Sequence, residues 1–482
     1  MVSTQVVDYI VEFLIGQVQR VNEQGVARPY RLVRYTARPE EMIGADLVIK
    51  PSDFFDYKVY GTPATEPVLP LAQWEGIPLL FGEPRYEWIN EGQTLLLHAD
   101  IIASSYYLMS RYEEMTQRSV RDALGRFPGQ QSLPYRAGFI HRPIIDEYGE
   151  QLRRLITQHI LPEQGELRLV ERPTHTFSRI NLSHDVTRPI DYRGLKGLWQ
   201  GLVNDRKPLA QVLRSLVRKR SLDPYRSFDS LLALDKQLED ACPRGRVQPW
   251  LFLRLSDKHR LDKPGYRLSY RYLQEVLRSA DAMGAKFGLL CSMSAASNPH
   301  LIPEEMKTLR KALRRVYMRL YNWEQCRGGR HHNYSNSSEY VRELDLISSR
   351  HSHLALGEPE DAREMLAAGI RHDYSMGYMD APGFRLGTCR PVRFINPNTR
   401  SLTELVMHPL TLSAASIAEH DTLGRDEERA YSYAMQLIAE VRRHGGELNL
   451  SWGNECYSPQ LHPWLGRLYE RIIQQLLYTP IR

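Results

Sequence analysis

The chain has 482 residues, which exceeds the size at which a single hydrophobic core usually stops growing, so we expect two or more domains. Hydrophobic residues make up 42% and charged residues 25%, which excludes wholesale disorder, a collagen-like repeat and a coiled coil. The formal net charge of +6 is small for this length, and acids are interspersed with bases. No nucleic-acid partner is therefore predicted.

No stretch of the sequence is long and apolar enough for a membrane span, and the best N-terminal segment, residues 6–18, is interrupted by Asp8 and Glu12. We expect neither a signal peptide nor a transmembrane helix. The five cysteines are scattered and none are spaced C-x-x-C, which argues against a disulfide framework. A cytoplasmic location fits these features best.

The first part of the chain, residues 1–165, predicts an α+β domain of unknown role. A polar segment over residues 161–176 marks the boundary with a second domain over residues 177–482. The elements expected in the first domain are a helix over residues 4–20, a strand at 46–50, a proline-rich connection at 63–84 and a helix near 100–114.

The second part alternates short apolar runs with helical patterns, which predicts an α/β fold with a parallel sheet or barrel. In such folds the site lies at the carboxyl ends of the strands. A helix is expected over residues 426–444, ended by the following glycines. The predicted strands cover residues 179–183, 250–255, 286–290, 353–356, 404–407 and 447–451.

Two stretches, residues 206–220 and 307–319, are basic and amphipathic. They could contact phosphates, anionic glycans or an acidic lipid surface. Contact with an acidic lipid surface would be a peripheral membrane contact. The alternative is that they form the solvated outer faces of helices.

His184 and Asp185 follow one another at the end of the first predicted strand of the second domain. A carboxylate at such a strand end can hold a divalent metal or act as a general base, so both residues are candidate catalytic groups. The alternative for Asp185 is a structural role, with its side chain capping neighbouring backbone N–H groups.

Several histidines lie close together in a segment dominated by polar residues. His351 and His353, at positions i and i+2 of a predicted strand, would project from one face, and His331 and His332 precede them. Imidazole nitrogen is a common zinc ligand, so these four residues are candidate metal ligands. No H-x-x-x-H or H-E-x-x-H pairing is present, and a surface histidine cluster is the alternative.

Residues 372–389 are interpreted as a turn-rich loop that brings together Asp373, Arg385 and aromatic side chains. Such a mixture suits sugar recognition, because aromatic rings stack on C–H faces while charged groups bind hydroxyls. A packed loop with an ion pair between Arg385 and Asp373 would explain the same pattern.

Several separated motifs together resemble the NodB-homology polysaccharide deacetylases, and more closely a cell-envelope branch that has an extra N-terminal domain. The motifs are GIRHDYSMGYMDAPGFRLGTC at residues 369–389, DPYRSFDSLL at 223–232, LSHDV at 182–186, SRYEE at 110–114 and RDALGRFPGQQSLPYRAGFIHRPIIDEY at 121–148. They occur in the expected order, so the resemblance spans nearly the whole chain.

The resemblance implies a deformed (β/α) barrel of NodB type, preceded by a smaller α+β domain. It also implies removal of acetyl groups from a glycan by a water bound to a divalent metal, with zinc expected, held by one Asp and two His. By the same resemblance, Asp185 matches the first-motif carboxylate, Arg350 or His351 matches the third-motif arginine, and Asp373 and Arg385 match the later loop.

The sequence departs from this family pattern at three positions. Leu290 stands where a metal-binding histidine is expected, Thr187 where a second aspartate is expected, and Gly453 where the acid histidine is expected. None of these residues can supply the missing groups. Either Asp185 and His331, His332, His351 and His353 rebuild a metal site, or metal-dependent activity has been lost.

We therefore predict a carbohydrate deacetylase-like protein acting on an acetylated envelope glycan or lipopolysaccharide precursor. A narrower resemblance, to VimE-type lipopolysaccharide deacetylases, fits the basic stretches and the expected absence of a signal peptide. The alternative is a catalytically inactive homologue that binds a glycan or a partner protein.

Overall fold

The structure is a computed structural model of the chain. It describes residues 2–20, 26–27, 33–161, 167–190, 199, 202–203, 209–210, 212–213, 223–263, 265–326, 346–357 and 359–478. The predicted metal ligands His331 and His332 lie outside the described residues, as does most of the basic stretch 206–220. Among the described helices, none is both long enough and apolar enough to cross a bilayer.

The N-terminal part combines helices with small sheets. Its strands are β1 (Val18–Arg20), β2 (Val26–Ala27), β3 (Val33–Tyr35), β4 (Leu47–Ile49), β5 (Ala72–Trp74), β6 (Ile77–Leu79), β7 (Gly82–Ile89), β8 (Thr94–Ala99) and β9 (Leu167–Leu169). Its helices are α1 (Thr4–Ile15), α2 (Pro39–Met42), α3 (Ile101–Met109), α4 (Tyr112–Thr116), α5 (Leu133–Arg136) and α6 (Ile144–Leu155). Strands β3, β4, β8 and β7 form one sheet in that order, and β4 and β8 are buried throughout.

Two helices predicted in this part are interrupted by backbone turns. Helix α1 ends at Ile15, because Gly16 adopts a φ of 76° and the chain then enters β1. The helix predicted near residues 100–114 is split into α3 and α4 by Arg111, whose φ is 57°. The strand predicted at residues 46–50 is confirmed as β4.

The C-terminal part is built on one large sheet. Its strands are β10 (Arg179–Val186), β11 (Val247–Leu253), β12 (Lys286–Cys291), β13 (Ser348–His351), β14 (His372–Met376), β15 (Val392–Asn396), β16 (Ser401–Pro409), β17 (Leu412–Ser413) and β18 (Glu447–Ser451). Its helices are α7 (Phe228–Ala241), α8 (Arg271–Ala282), α9 (Met293–Ser297), α10 (Ile302–Cys326), α11 (Pro359–Ala367), α12 (Ala414–Glu419), α13 (Glu427–Arg443), α14 (Asn454–Tyr457) and α15 (Pro463–Tyr478).

The strand order is β15-β16-β14-β13-β12-β11-β10-β18-β17, and every neighbouring pair is parallel except β15 with β16. The predicted α/β class with a parallel sheet is confirmed. Only two residues separate β16, which pairs with β14, from β17, which pairs with β18. The side-chain amide of Asn449 in β18 also donates to the carbonyl of Pro409 in β16 at 2.8 Å, so β16 contacts β18.

Two parts of the strand prediction are wrong. The strand expected at residues 353–356 lies instead at β13, and the loop expected over residues 372–378 begins with β14. Both missed strands have polar sequences, SSRH and HDYSM, yet they are almost wholly buried. The hydrophobic pattern fails here because the buried polar side chains of these strands pair with polar groups of other strands and of a helix.

Helices flank the sheet as amphipathic elements. Helix α13 matches its prediction: Asp426 accepts a hydrogen bond from the amide of Arg429 at 3.0 Å, and Gly445 follows with a φ of 63°. The basic stretch 307–319 lies within α10, where Leu309 and Leu313 are buried and the described basic side chains from Lys307 to Arg315 are exposed. On this helix the basic residues form a solvated outer face.

The two parts of the chain share one contiguous hydrophobic core. Buried ion pairs also join them: Glu114 accepts from Arg385 at 2.9 and 2.7 Å, and Asp146 accepts from Arg390 at 2.5 Å. The N-terminal part is thus bound by ion pairs to the segment between β14 and β15, which contains Arg385 and Arg390.

Candidate functional site

The candidate site lies where β10, β13 and β18 end, and its centre is an ion pair between Asp185 and Arg350. The Nη1 of Arg350 donates to Oδ1 of Asp185 at 3.0 Å. The Asp185 side chain is 23% exposed, whereas Arg350 is fully buried. The carboxylate therefore faces solvent with a buried cation behind it.

Arg350 can be buried because nearly every face of its guanidinium has a partner. It donates to Oγ of Ser451 at 2.8 Å, to Oγ of Ser183 at 2.8 Å and to the carbonyl of Tyr374 at 3.1 Å. The guanidinium also lies 4.6 Å from the centre of the Phe252 ring. Such a network fixes the position of the Asp185 carboxylate.

Alternation along a strand separates these residues from their neighbours in sequence. Asp185 and Arg350 point to one face of the sheet, here called the inner face, and His184 and His351 point to the other, the outer face. His184 is fully buried on the outer face, with Nδ1 2.7 Å from the carbonyl of Trp452 and Nε2 2.6 Å from Oδ2 of Asp235. Both ring nitrogens are engaged, so the structure does not bring His184 to Asp185.

His351 and Asp373 lie together on the outer face. The Nδ1 of His351 is 3.8 Å from Oδ2 of Asp373, and its Nε2 is 3.6 Å from Oδ2 of Asp361 in α11. Burial disfavours the charged imidazole, but Asp373 and Asp361 more than offset this and raise the pKa of His351. Asp373 also accepts from Oγ of Ser349 at 2.9 Å. These groups form a buried polar cluster behind the sheet, away from Asp185.

Arg385 does not pair with Asp373. It binds Glu114 of the N-terminal part with two hydrogen bonds and donates from Nη1 to the carbonyl of Gly377 at 2.8 Å. Glu114 also accepts from Arg111, and although burial alone would raise the pKa of Glu114, the two arginines hold it far below its usual range. Arg385 therefore joins the two parts of the chain, a partner that motif spacing within the second half could not reveal.

His353 does not share a strand face with His351. Strand β13 ends at His351, and His353 sits in the following turn with a φ of 55°. Burial lowers the pKa of His353, Arg126 and Arg254 lower it further, and Asp262 and Asp185 oppose them. Of the described histidines predicted as ligands, His353 is thus the one that shares the electrostatic surroundings of Asp185.

The described residues around Asp185 do not fit a metal set of one aspartate and two histidines. Leu290 is fully buried in an apolar cluster with Trp250, Phe252 and Tyr374. Thr187 has no carboxylate to offer, and its backbone carbonyl accepts a hydrogen bond from Arg254 at 3.3 Å. We derive no metal-dependent step from these residues.

Three polar residues near Asp185 were missed by sequence analysis: Arg254, Asn454 and Glu455. Burial raises the pKa of Glu455; His462, Arg188 and Arg254 lower it, and Asp185 raises it, which places Glu455 in the same group of charges. Arg254 directly follows β11 and Asn454 begins α14 after β18. Their positions after strands were a usable signal, but their residue types matched no motif.

The comparisons with known proteins add little to this geometry. Residues 2–161 match a family of unknown function, DUF7033. No curated protein matches the chain. A crystal structure from Mycobacterium smegmatis that is assigned as a polysaccharide deacetylase overlaps 65% of this chain and 88% of its own, with 11% identity and a TM-score of 0.36. At that identity and TM-score the similarity carries no argument about activity.

Proposed function

We propose that this protein is a carbohydrate deacetylase-like protein that binds an acetylated envelope glycan or lipopolysaccharide precursor at the carboxyl ends of its parallel strands. The observation that carries the proposal is the hydrogen bond between Arg350 and Asp185. The resemblance matches Asp185 to the first-motif carboxylate and Arg350 or His351 to the third-motif arginine. Asp185 and Arg350 meet at the edge of the sheet where α/β proteins bind ligands. The proposal includes a barrel-like arrangement, supported by the way β16 and β17 reach both ends of the ladder.

The described site favours binding over hydrolysis. Metal-assisted deacetylation needs a cation held by several ligands, with a position left for water. Around Asp185 the described cations are guanidinium groups, and the position expected to carry a histidine is Leu290 in an apolar cluster. A fixed carboxylate backed by arginine suits the recognition of sugar hydroxyl and amide groups.

The second candidate is metal-assisted deacetylation, and one observation favours it. The surroundings of His353 lower its pKa, which favours the neutral imidazole that metal ligation requires. His353 with Asp185 and His331 or His332 would then hold the cation, with zinc expected.

The experiment is calorimetric titration of the full chain with triacetylchitotriose and with the glucosamine trimer, combined with an assay of acetate release in buffers containing EDTA or zinc. Binding of the acetylated trimer without acetate release, lost in Asp185→Asn and retained in the exposed control Asp421→Asn, supports the proposal. Chelator-sensitive acetate release supports the second candidate. An absence of both binding and release in the wild type overturns both.

A further inference from the structure

Arg254 carries a buried hydrogen-bond donor that has no partner in the described part of the chain. Its side chain is 3% exposed, and its Nη2 donates to the carbonyls of Asp262 at 2.7 Å and Thr187 at 3.3 Å. The Nε has no hydrogen-bond partner among the described residues. A buried unsatisfied donor is costly, so its persistence points to an acceptor that the protein takes from outside.

Asn454 carries the matching acceptor. Its Nδ2 donates to the carbonyls of Arg188 at 3.0 Å and Tyr225 at 2.7 Å, which fixes the orientation of the amide. Its Oδ1 is buried and lacks a partner among the described residues, as does Oγ of Ser352, which follows β13. Unsatisfied polar atoms thus come from residues that follow three different strands of the sheet, β11, β13 and β18.

Arg254 and Asn454 flank the chain just after Asp185. Arg254 donates a hydrogen bond to the carbonyl of Thr187, and Asn454 donates one to the carbonyl of Arg188. The two side chains follow β11 and β18, which lie on opposite sides of β10, and they bind consecutive residues. Arg254, like Asp185, also acts on the charge of Glu455. The unpaired donor and the unpaired acceptor therefore belong to two side chains that hold the backbone immediately after Asp185.

The charge of Arg254 is only loosely compensated. Its nearest carboxylate, Oδ1 of Asp262, is 3.5 Å from Nη1, and both oxygens of Asp262 accept from the amide of Met293 at 3.1 Å, at the start of α9. Asp262 is thus shared between a helix N-terminus and the guanidinium. Arg254 is thus a fixed cation whose Nε–H has no acceptor among the described residues.

We propose that Arg254 is the resident cation of this site, in place of a metal ion, and that its Nε–H binds an sp2 oxygen of the ligand while Oδ1 of Asn454 accepts a ligand N–H or O–H. This inference rests on the proposed function. The oxygen belongs either to the acetyl carbonyl of an amino sugar or to the carboxylate of an acidic sugar. Recognition is then independent of metal.

The test titrates the full chain with triacetylchitotriose and, separately, with glucuronate, each in EDTA and in zinc buffer. We expect wild-type affinity to be unchanged by EDTA and to fall at least tenfold in Arg254→Gln. Arg254→Lys keeps the charge but lacks the Nε donor, so it is expected to lose the same binding, and it serves if Arg254→Gln fails to fold. The matched control is Arg471→Gln, whose arginine pairs with Glu428 at the surface.

The outcomes separate the two proposals. If the wild type binds but EDTA abolishes binding, or if both folded Arg254 variants bind as the wild type does, the inference about Arg254 is overturned while the proposed function stands. If the wild type binds neither probe, the proposed function fails and the inference fails with it. Preference for triacetylchitotriose identifies the acetyl carbonyl as the bound group, and preference for glucuronate identifies a carboxylate.

Discussion

Arg350 and Asp185 are 165 residues apart in sequence, yet their side chains meet at 3.0 Å at the carboxyl ends of two strands of one parallel sheet. The arginine is fully buried and the aspartate is partly exposed. Because a buried guanidinium needs its counter-charge, this pair couples the stability of the sheet to the position of the partly exposed Asp185 carboxylate.

The first prediction concerns the buried arginine. Arg350→Met removes the charge that faces Asp185 and leaves Ser183 and Ser451 without their donor. We expect it to lower the free energy of unfolding by about 3–5 kcal/mol, measured by urea denaturation. Arg471→Met, at a half-buried surface pair, is expected to cost about 0–1 kcal/mol. Equal costs for the two variants would contradict the proposed role of Arg350.

The second prediction separates His184 from its neighbour Asp185. His184→Ala leaves the fully buried Asp235 carboxylate without its imidazole partner, and we expect a loss of about 3–5 kcal/mol in the free energy of unfolding. Asp185→Asn is expected to cost less, because its side chain is partly exposed. The effects on ligand affinity, measured per folded molecule, are expected in the opposite order: His184→Ala binds as the wild type does, and Asp185→Asn does not. Loss of binding in folded His184→Ala would disprove the assignment.

The third prediction concerns the contact between the two parts of the chain. Glu114→Gln removes the buried charge that faces both Arg111 and Arg385, so we expect a loss of about 3–5 kcal/mol in the free energy of unfolding. Glu83→Gln is the control, since Glu83 is 65% exposed and pairs with Arg85 at the surface, and its expected cost is about 0–1 kcal/mol. Chemical denaturation of both variants measures the difference.

The fourth prediction is a pH dependence at the contact between α6 and α13. Burial alone would lower the pKa of His444, but Glu150 and Glu440 raise it to about 9. The folded-state pKa is therefore above that of the unfolded chain, so the stabilisation is complete below about pH 6.5 and is lost as the pH rises through 9.

We expect wild-type stability to fall by about 1–3 kcal/mol over that window, measured by thermal or urea denaturation at successive pH values. His444→Gln is expected to start less stable and to lack this decline. A wild-type curve that stays flat from pH 6.5 to 10, or one that is unchanged by the substitution, would disprove the role of His444.

Much of the local structure was predictable from sequence. Helix α13 follows from its apolar stripe, its capping aspartate and its terminal glycines, and strands β10, β12 and β18 follow from their apolar runs. These features depend on neighbours in the chain, so composition and periodicity contain them. Strands β13 and β14 were missed because their polar side chains find partners in segments distant in sequence, such as Asp185 and Ser451 for Arg350 and Asp361 for His351.

The sequence by itself determined the α/β class and the parallel sheet implied by alternating strands and helices, and it made Asp185 a candidate while leaving Arg350 and His351 as alternatives. Alternation within a strand puts His184 and His351 on the face opposite Asp185 and Arg350. Only the tertiary structure decided which groups each face meets, with Asp235 beside His184, and Asp361 and Asp373 beside His351. The tertiary structure also joined Arg385 to Glu114. It brought Arg254 and Asn454 to the backbone just after Asp185. Contacts between such distant segments form only when the sheet is assembled.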